Sequence, residues 1–309
     1  MVPRRARCPA TVGGGQAAIR ETAEMARVAV FRGAAHGGRA SRPPFASPAA
    51  RAGMLVASLT IAGVLLAPMT VIAQTDEIQV YDGSIAEPGA INLTIHNNFT
   101  PDGLKTPAFP GGVIPDKSWN GVAEWAYGVV DWFELGLYLP LYSISKNLGP
   151  TINGGKIRLL FAEPHAAERT FVLAVNFEFS LNARHWDQHL VASEIRPILG
   201  LHWRHLEVFV NPILDTSYVG GVGNLDFAPA VRVAYGVSPQ WTVAVEEYSD
   251  VGPLRAFYPK SQQSHQVWAV IDRRAKWADI EAGVGFGLTG ASDTVTLKVI
   301  LSRDLYTPH

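Results

Sequence analysis

The stretch WNGVAEWAYGVVDWFELGLYLPLY, residues 119–142, decides the fold. Trp125, Tyr127 and Val129 recur at every second position, and beyond Asp131-Trp132 so do Phe133, Leu135, Leu137, Leu139 and Leu141. Between them stand Glu124, Ala126, Gly128, Glu134, Gly136 and Tyr138, mostly small or polar. Successive side chains of a strand point to opposite faces, so this period of two predicts two strands, each with one apolar face. With only Asp131-Trp132 between them, the two runs predict a hairpin. An apolar face this regular must meet either a second sheet or lipid.

The rest of the chain chooses lipid. Twelve strand-like segments follow one another at 89–99, 119–130, 133–143, 153–161, 170–181, 191–202, 205–215, 225–237, 240–250, 264–274, 277–288 and 293–303. A tilted strand needs about 9–11 residues to cross a bilayer, whereas strands of soluble domains average about 5–6. Alternation persists along them: Phe171, Leu173, Val175, Phe177 and Phe179 oppose Ala174, Asn176, Glu178 and Ser180. Joins near 131–132, 203–204, 238–239 and 275–276 are tight, while those near 100–118, 144–152, 182–190, 216–224 and 251–263 are long. Short periplasmic turns alternating with longer outer loops are the rhythm of a membrane barrel. The joins 162–169 and 289–292 depart from it. Trp119, Trp125, Trp132, Trp203, Trp241, Trp277 and Tyr306 fall near strand ends, where interfacial girdles sit. The expected fold is all-β: an antiparallel transmembrane β-barrel of about 12 strands, spanning 89–306, preceded by a signal peptide.

Upstream, residues 1–53 are rich in Arg, Ala, Gly and Pro and read as a disordered extension or a start assigned too far upstream. Residues 54–73, MLVASLTIAGVLLAPMTVIA, carry no charge and end in Val71-Ile72-Ala73, so they read as a signal peptide cleaved before Gln74. Residues 74–88 read as a periplasmic N-terminal segment or a plug entering the lumen, and a plug would turn the pathway sideways through the wall.

The chain has 309 residues and a formal net charge of -1, which excludes the basic footprint of a nucleic-acid binder. Cys8 is the only cysteine, so the barrel region has no disulfide and no thiolate metal site.

A family resemblance follows from five segments: IQVYDGSIAEPGAINLTIHNNF (78–99), AYGVVDWFELGLYLPLY (126–142), EIRPILGLHW (194–203), FVNPILDTS (209–217) and GVGFGLTGASDTVTLKVIL (283–301). Together they resemble uncharacterised Gram-negative outer-membrane barrels near the MetA-pathway phenol-degradation family. That resemblance implies an outer-membrane location and passage of hydrophobic or aromatic compounds, and it carries no catalytic residue over.

In a barrel the face opposite lipid is the lumen. Glu124, Glu134, Arg158, Glu178, Arg196, Arg232 and Glu281 are the residues expected there along a solute pathway. The competing reading is a lumen filled by its own ion pairs, as narrow barrels often are. Gly283, Gly285 and Gly287 share a face with Glu281, and their alternating strand excludes a phosphate loop, which needs a following helix. His185 and His189 fall in one outer loop and His202 and His205 at the opposite membrane face, so the four cannot form one metal site. A lipid hydrolase would need a Ser–His pair at the outer rim, for which Ser180 with His185 or His189 is the nearest candidate, without an oxyanion setting. The expectation is therefore no enzyme, no metal and no cofactor. Expected partners are outer-membrane lipid, the barrel-assembly machinery and a small-molecule solute. Three readings remain: a passive channel, a closed structural or interaction barrel, and a secreted soluble β-protein.

Overall fold

A computed structural model describes residues 77–221 and 224–308. The expected extension (1–53) and signal peptide (54–73) lie outside the described residues. Twelve antiparallel strands form the wall: β1 Ile91–Asp102, β2 Trp119–Val130, β3 Phe133–Ser145, β4 Gly149–Ala162, β5 Phe171–Asn182, β6 Val191–Trp203, β7 Leu206–Asn211, β8 Ala230–Ser238, β9 Trp241–Asp250, β10 Ser264–Arg274, β11 Asp279–Gly287 and β12 Val295–Tyr306. Each pairs with the next, and β12 returns to β1 with Ile95 opposite Leu301 and Phe99 opposite Leu297. Among the described residues, closure leaves each of these twelve strands with a partner on both sides, as hydrocarbon demands of backbone polar groups. Short pieces at Leu214–Thr216, Asp226–Phe227 and Gly252–Pro253 prolong β7, β8 and β9 toward the long-loop end. Pro212 and Pro229, which lack a donor for the ladder, separate the first two from their strands.

Side-chain direction follows the alternation. Leu135, Leu137 and Leu139 of β3 are 42–49% exposed on the outer wall, while Glu134, Gly136 and Tyr138 point inward. Leu141 is a correction. The register slips between Tyr138 and Leu141 against both neighbouring strands, and one extra residue inverts the faces beyond it. Leu141 is therefore fully buried inside the barrel, and Ile144 takes the outer face.

The tight joins at 131–132, 204–205, 239–240 and 275–278 occupy one end, together with the longer 163–170, which holds a single helical turn at Ala166–Glu168. The long outer loop expected near 144–152 is instead a turn at 146–148. Gly149, Pro150 and Gly154 look like loop residues, yet the ladder continues through them to Ser145 opposite Gly149. At the other end, loop 103–118 folds over the mouth. Val113 is buried against Trp186 of loop 183–190 and against Tyr138 and Leu141 of β3. Asn147 fixes the same loop by donating to Gly112 O at 2.8 Å and accepting from Ile114 N at 3.1 Å.

Candidate functional site: a lumen crossed by the N-terminal segment

Residues 77–90 run inside the barrel. They end at the tight-turn end, where Gly89 N donates to Gly128 O (2.7 Å) and Gly128 N donates to Ala90 O (3.1 Å). Glycine is required at 128, because a Cβ there would collide with the carbonyl oxygens of Ala86 and Glu87. Higher up, Ala86 N donates to Glu134 Oε2 at 2.6 Å. Asn211 grips Tyr81 from both sides, accepting from its N–H at 2.7 Å and donating to its carbonyl at 3.0 Å. The Tyr81 ring lies under the Arg196 guanidinium at 4.3 Å and near that of Arg158 at 5.5 Å, and its hydroxyl meets Tyr138 Oη at 2.5 Å. Lys298 Nζ donates to Ile78 O at 3.1 Å, and Arg196 Nη1 to Gln79 O at 3.3 Å. The wall thus supplies the partners that an irregular segment inside a membrane protein must find.

The seven expected lumen residues all lie in ion pairs, in two clusters and two smaller groups beside the first. In the first, Arg158 bridges Glu124, at 2.8 Å, and Glu134, while His96 Nε2 lies 3.0 Å from Glu124. Beside it Lys156 pairs with Glu178 at 3.5 Å, and Arg196 pairs with Glu194 at 2.6 Å and with Glu77 at 3.5 Å. In the second cluster Arg232 bridges Glu246 and Asp272, and Lys298 bridges Glu246 at 2.5 Å and Glu281 at 2.6 Å. Glu124, Glu134 and Arg158 pack around the N-terminal segment. Glu178 and Arg196 line open space.

That space is a vestibule of about 600 Å³ at the long-loop end of the lumen. Glu77, Ile78 and Gln79 of the N-terminal segment border it below, and Asp215, Asp226 and Asp250 line its side. Near its mouth Lys105 Nζ donates to Asp116 Oδ1 at 2.6 Å and Lys146 Nζ to Oδ2 at 3.0 Å. These two ammonium groups hold the Asp116 carboxyl well below the usual carboxylate range.

The fold is that of outer-membrane β-barrels. A solved outer membrane channel from Pseudomonas putida F1 is similar in fold, with a TM-score of 0.52, 12% identity, and coverage of 74% of this chain and 100% of that one. The KdgM porin (TM-score 0.45, 9% identity, 71% of this chain and 99% of that one) and the NanC porin (0.44, 8%, 71% and 100%) are more distant. At these identities the likeness speaks to fold, and the Pseudomonas channel carries it. No family model matches the chain, and no curated protein matches it. The phenol-degradation resemblance therefore rests on its five segments.

The histidines do not gather. His185 Nε2 lies 3.1 Å from Asn153 Oδ1 and His189 Nδ1 lies 3.4 Å from Asp187, so neither serves Ser180. A serine hydroxyl does meet a histidine ring elsewhere, Ser249 Oγ with His265 Nδ1 at 2.6 Å, directly opposite each other on β9 and β10. Ser249 Oγ also donates to Glu247, so its proton already has a carboxylate acceptor. His96, Glu77 and Tyr81 were missing from the expected lumen set. The period-two run Asn92, Thr94, His96, Asn98, Thr100 in β1 is the signal that would have placed His96 inside.

Proposed function

We propose that this barrel is a passive channel for small molecules, throttled from within by its N-terminal segment. The observation that carries the reading is the vestibule of about 600 Å³, within the range of about 300–1,000 Å³ typical of small-molecule sites. Its lining is mixed. Ser180, Ser193 and Thr296 offer polar contacts, while Trp186, Tyr248 and Tyr258 offer aromatic faces suited to a small ring, as the phenol-degradation resemblance suggests. Glu178 and Arg196 would meet solute first. Glu124, Glu134, Arg158, Arg232 and Glu281 would act by seating the segment and stiffening the wall. Outer-membrane lipid on the apolar face and the machinery that inserts such barrels are the partners this reading implies.

The alternative is a closed barrel with a structural or interaction role, and the filled lumen below the vestibule favours it. Single-channel recording separates the two. Detergent-folded protein in a planar bilayer is expected to give discrete conductance steps, and deletion of residues 77–86 is expected to enlarge them. Silence from both proteins, each verified as folded by heat-modifiable gel migration, would refute the channel and leave the closed barrel.

A further inference from the structure

Four carboxylates line one side of the vestibule on four neighbouring strands. Glu194 of β6 stands opposite Asp215, Asp215 stands opposite Asp226, and Asp250 ends β9 alongside. Like charges directly opposite each other on paired strands are destabilising. Arg196 offsets Glu194 through bonds of 2.6 and 3.1 Å. Among the described residues, neither Asp215 nor Asp226 nor Asp250 has an ion-pair partner. The other cations of the lining do not compensate, since Lys156 is engaged by Glu178 and Arg255 is exposed at the rim.

A second observation is independent of that row. Two side chains that line the same cavity are more than nine-tenths buried and accept no hydrogen bond. The Glu77 side chain is 2% exposed, with neither oxygen hydrogen-bonded and only the shared Arg196 at 3.5 Å. The Thr296 hydroxyl, in a residue 4% exposed, has no hydrogen-bond partner among the described residues. Buried acceptors are normally satisfied, and an exception aimed into a cavity is explained by something that enters it.

We propose that the vestibule selects small organic cations, with Asp215, Asp226 and Asp250 as its recognition surface. The inference rests on the channel reading and names the solute class for it. Among the described residues no three His, Cys, Asp or Glu side chains converge as metal ligands, so a bare divalent ion is a poorer match than an ammonium group. An ammonium carries three donors that can bridge carboxylates held on separate strands, through charge-assisted bonds. The faces of Trp186 and Tyr258, in the same lining, attract a cation further.

The test is reversal potential across a KCl gradient, together with liposome swelling in L-arginine against L-glutamate. Surface potentials of several kT predict a potassium-to-chloride permeability ratio of about 5 or more, and swelling in arginine faster than in glutamate by a similar factor. The Asp215→Asn, Asp226→Asn, Asp250→Asn triple variant is expected to bring both ratios to about 1, while Asp131→Asn at the opposite end leaves them unchanged. If the triple variant fails to show heat-modifiable migration, the three single variants decide, each lowering the ratio. Anion preference, or ratios unmoved in the folded variants, would overturn the inference and leave the channel standing. Absence of conductance and swelling, with or without residues 77–86, would overturn both.

Discussion

Arg158→Leu tests whether the lumen is held by its ion clusters. Arg158 is 5% exposed and touches Glu124 and Glu134 through the same nitrogen, Nη2. Removing it leaves two buried carboxylates whose nearest oxygens lie within about 5 Å, and at an effective dielectric constant of about 20 they repel by roughly 3 kcal/mol. Breaking a buried ion pair from one side costs about 3–5 kcal/mol, and the two figures agree. His96 relieves Glu124 in part, so about 3 kcal/mol is the expected loss. The assay is urea unfolding of liposome-inserted protein followed by tryptophan fluorescence. The Arg158→Leu, Glu134→Leu double variant should be more stable than the single one, because one uncompensated charge leaves with the second substitution. A loss below about 1 kcal/mol in the single variant, or strictly additive losses in the double, would refute the reasoning. The same change should loosen the N-terminal segment, since Glu134 also receives the Ala86 N–H.

Further outcomes follow from single contacts. Gly128→Val should push Ala86 and Glu87 off the wall and raise conductance, with heat-modifiable migration retained. Leu137→Arg, on the lipid face, should cost about 2–4 kcal/mol in liposomes, whereas Leu141→Ala should cost about 2–5 kcal/mol by opening a cavity inside; a lipid-soluble quencher should reach a fluorophore at 137 and miss one at 141. The folded-state pKa of Asp116 is depressed, so its hold on loop 103–118 is complete above the unfolded carboxylate range and fades only as pH falls through the lower folded value. Amide exchange in that loop should therefore stay slow down to about pH 4 in the native protein and be faster across that range in Asp116→Asn.

The sequence by itself determined the wall. Strand number, order and inward or outward direction are local properties, written as period-two alternation, and a barrel repeats them with each neighbour adjacent in the chain. The turns at 131–132, 203–204 and 238–239 could be read because nothing distant alters them, and the last two fall one residue further on, at 204–205 and 239–240. The fate of Leu141 could not be read, because a bulge depends on how β3 registers against both neighbours, and one slipped residue exchanges the faces. Tertiary structure alone decided what fills the lumen. Residues 77–90 have no periodicity, and their path is set by Asn211, Arg196, Lys298 and Gly128, which come from strands far apart in the chain. The same holds for the candidate site. That Glu124 and Glu134 face inward was legible in WNGVAEWAYGVVDWFELGLYLPLY; that both are spent on Arg158, leaving Asp215, Asp226 and Asp250 beside open space, is a matter of which side chains meet across a closed barrel.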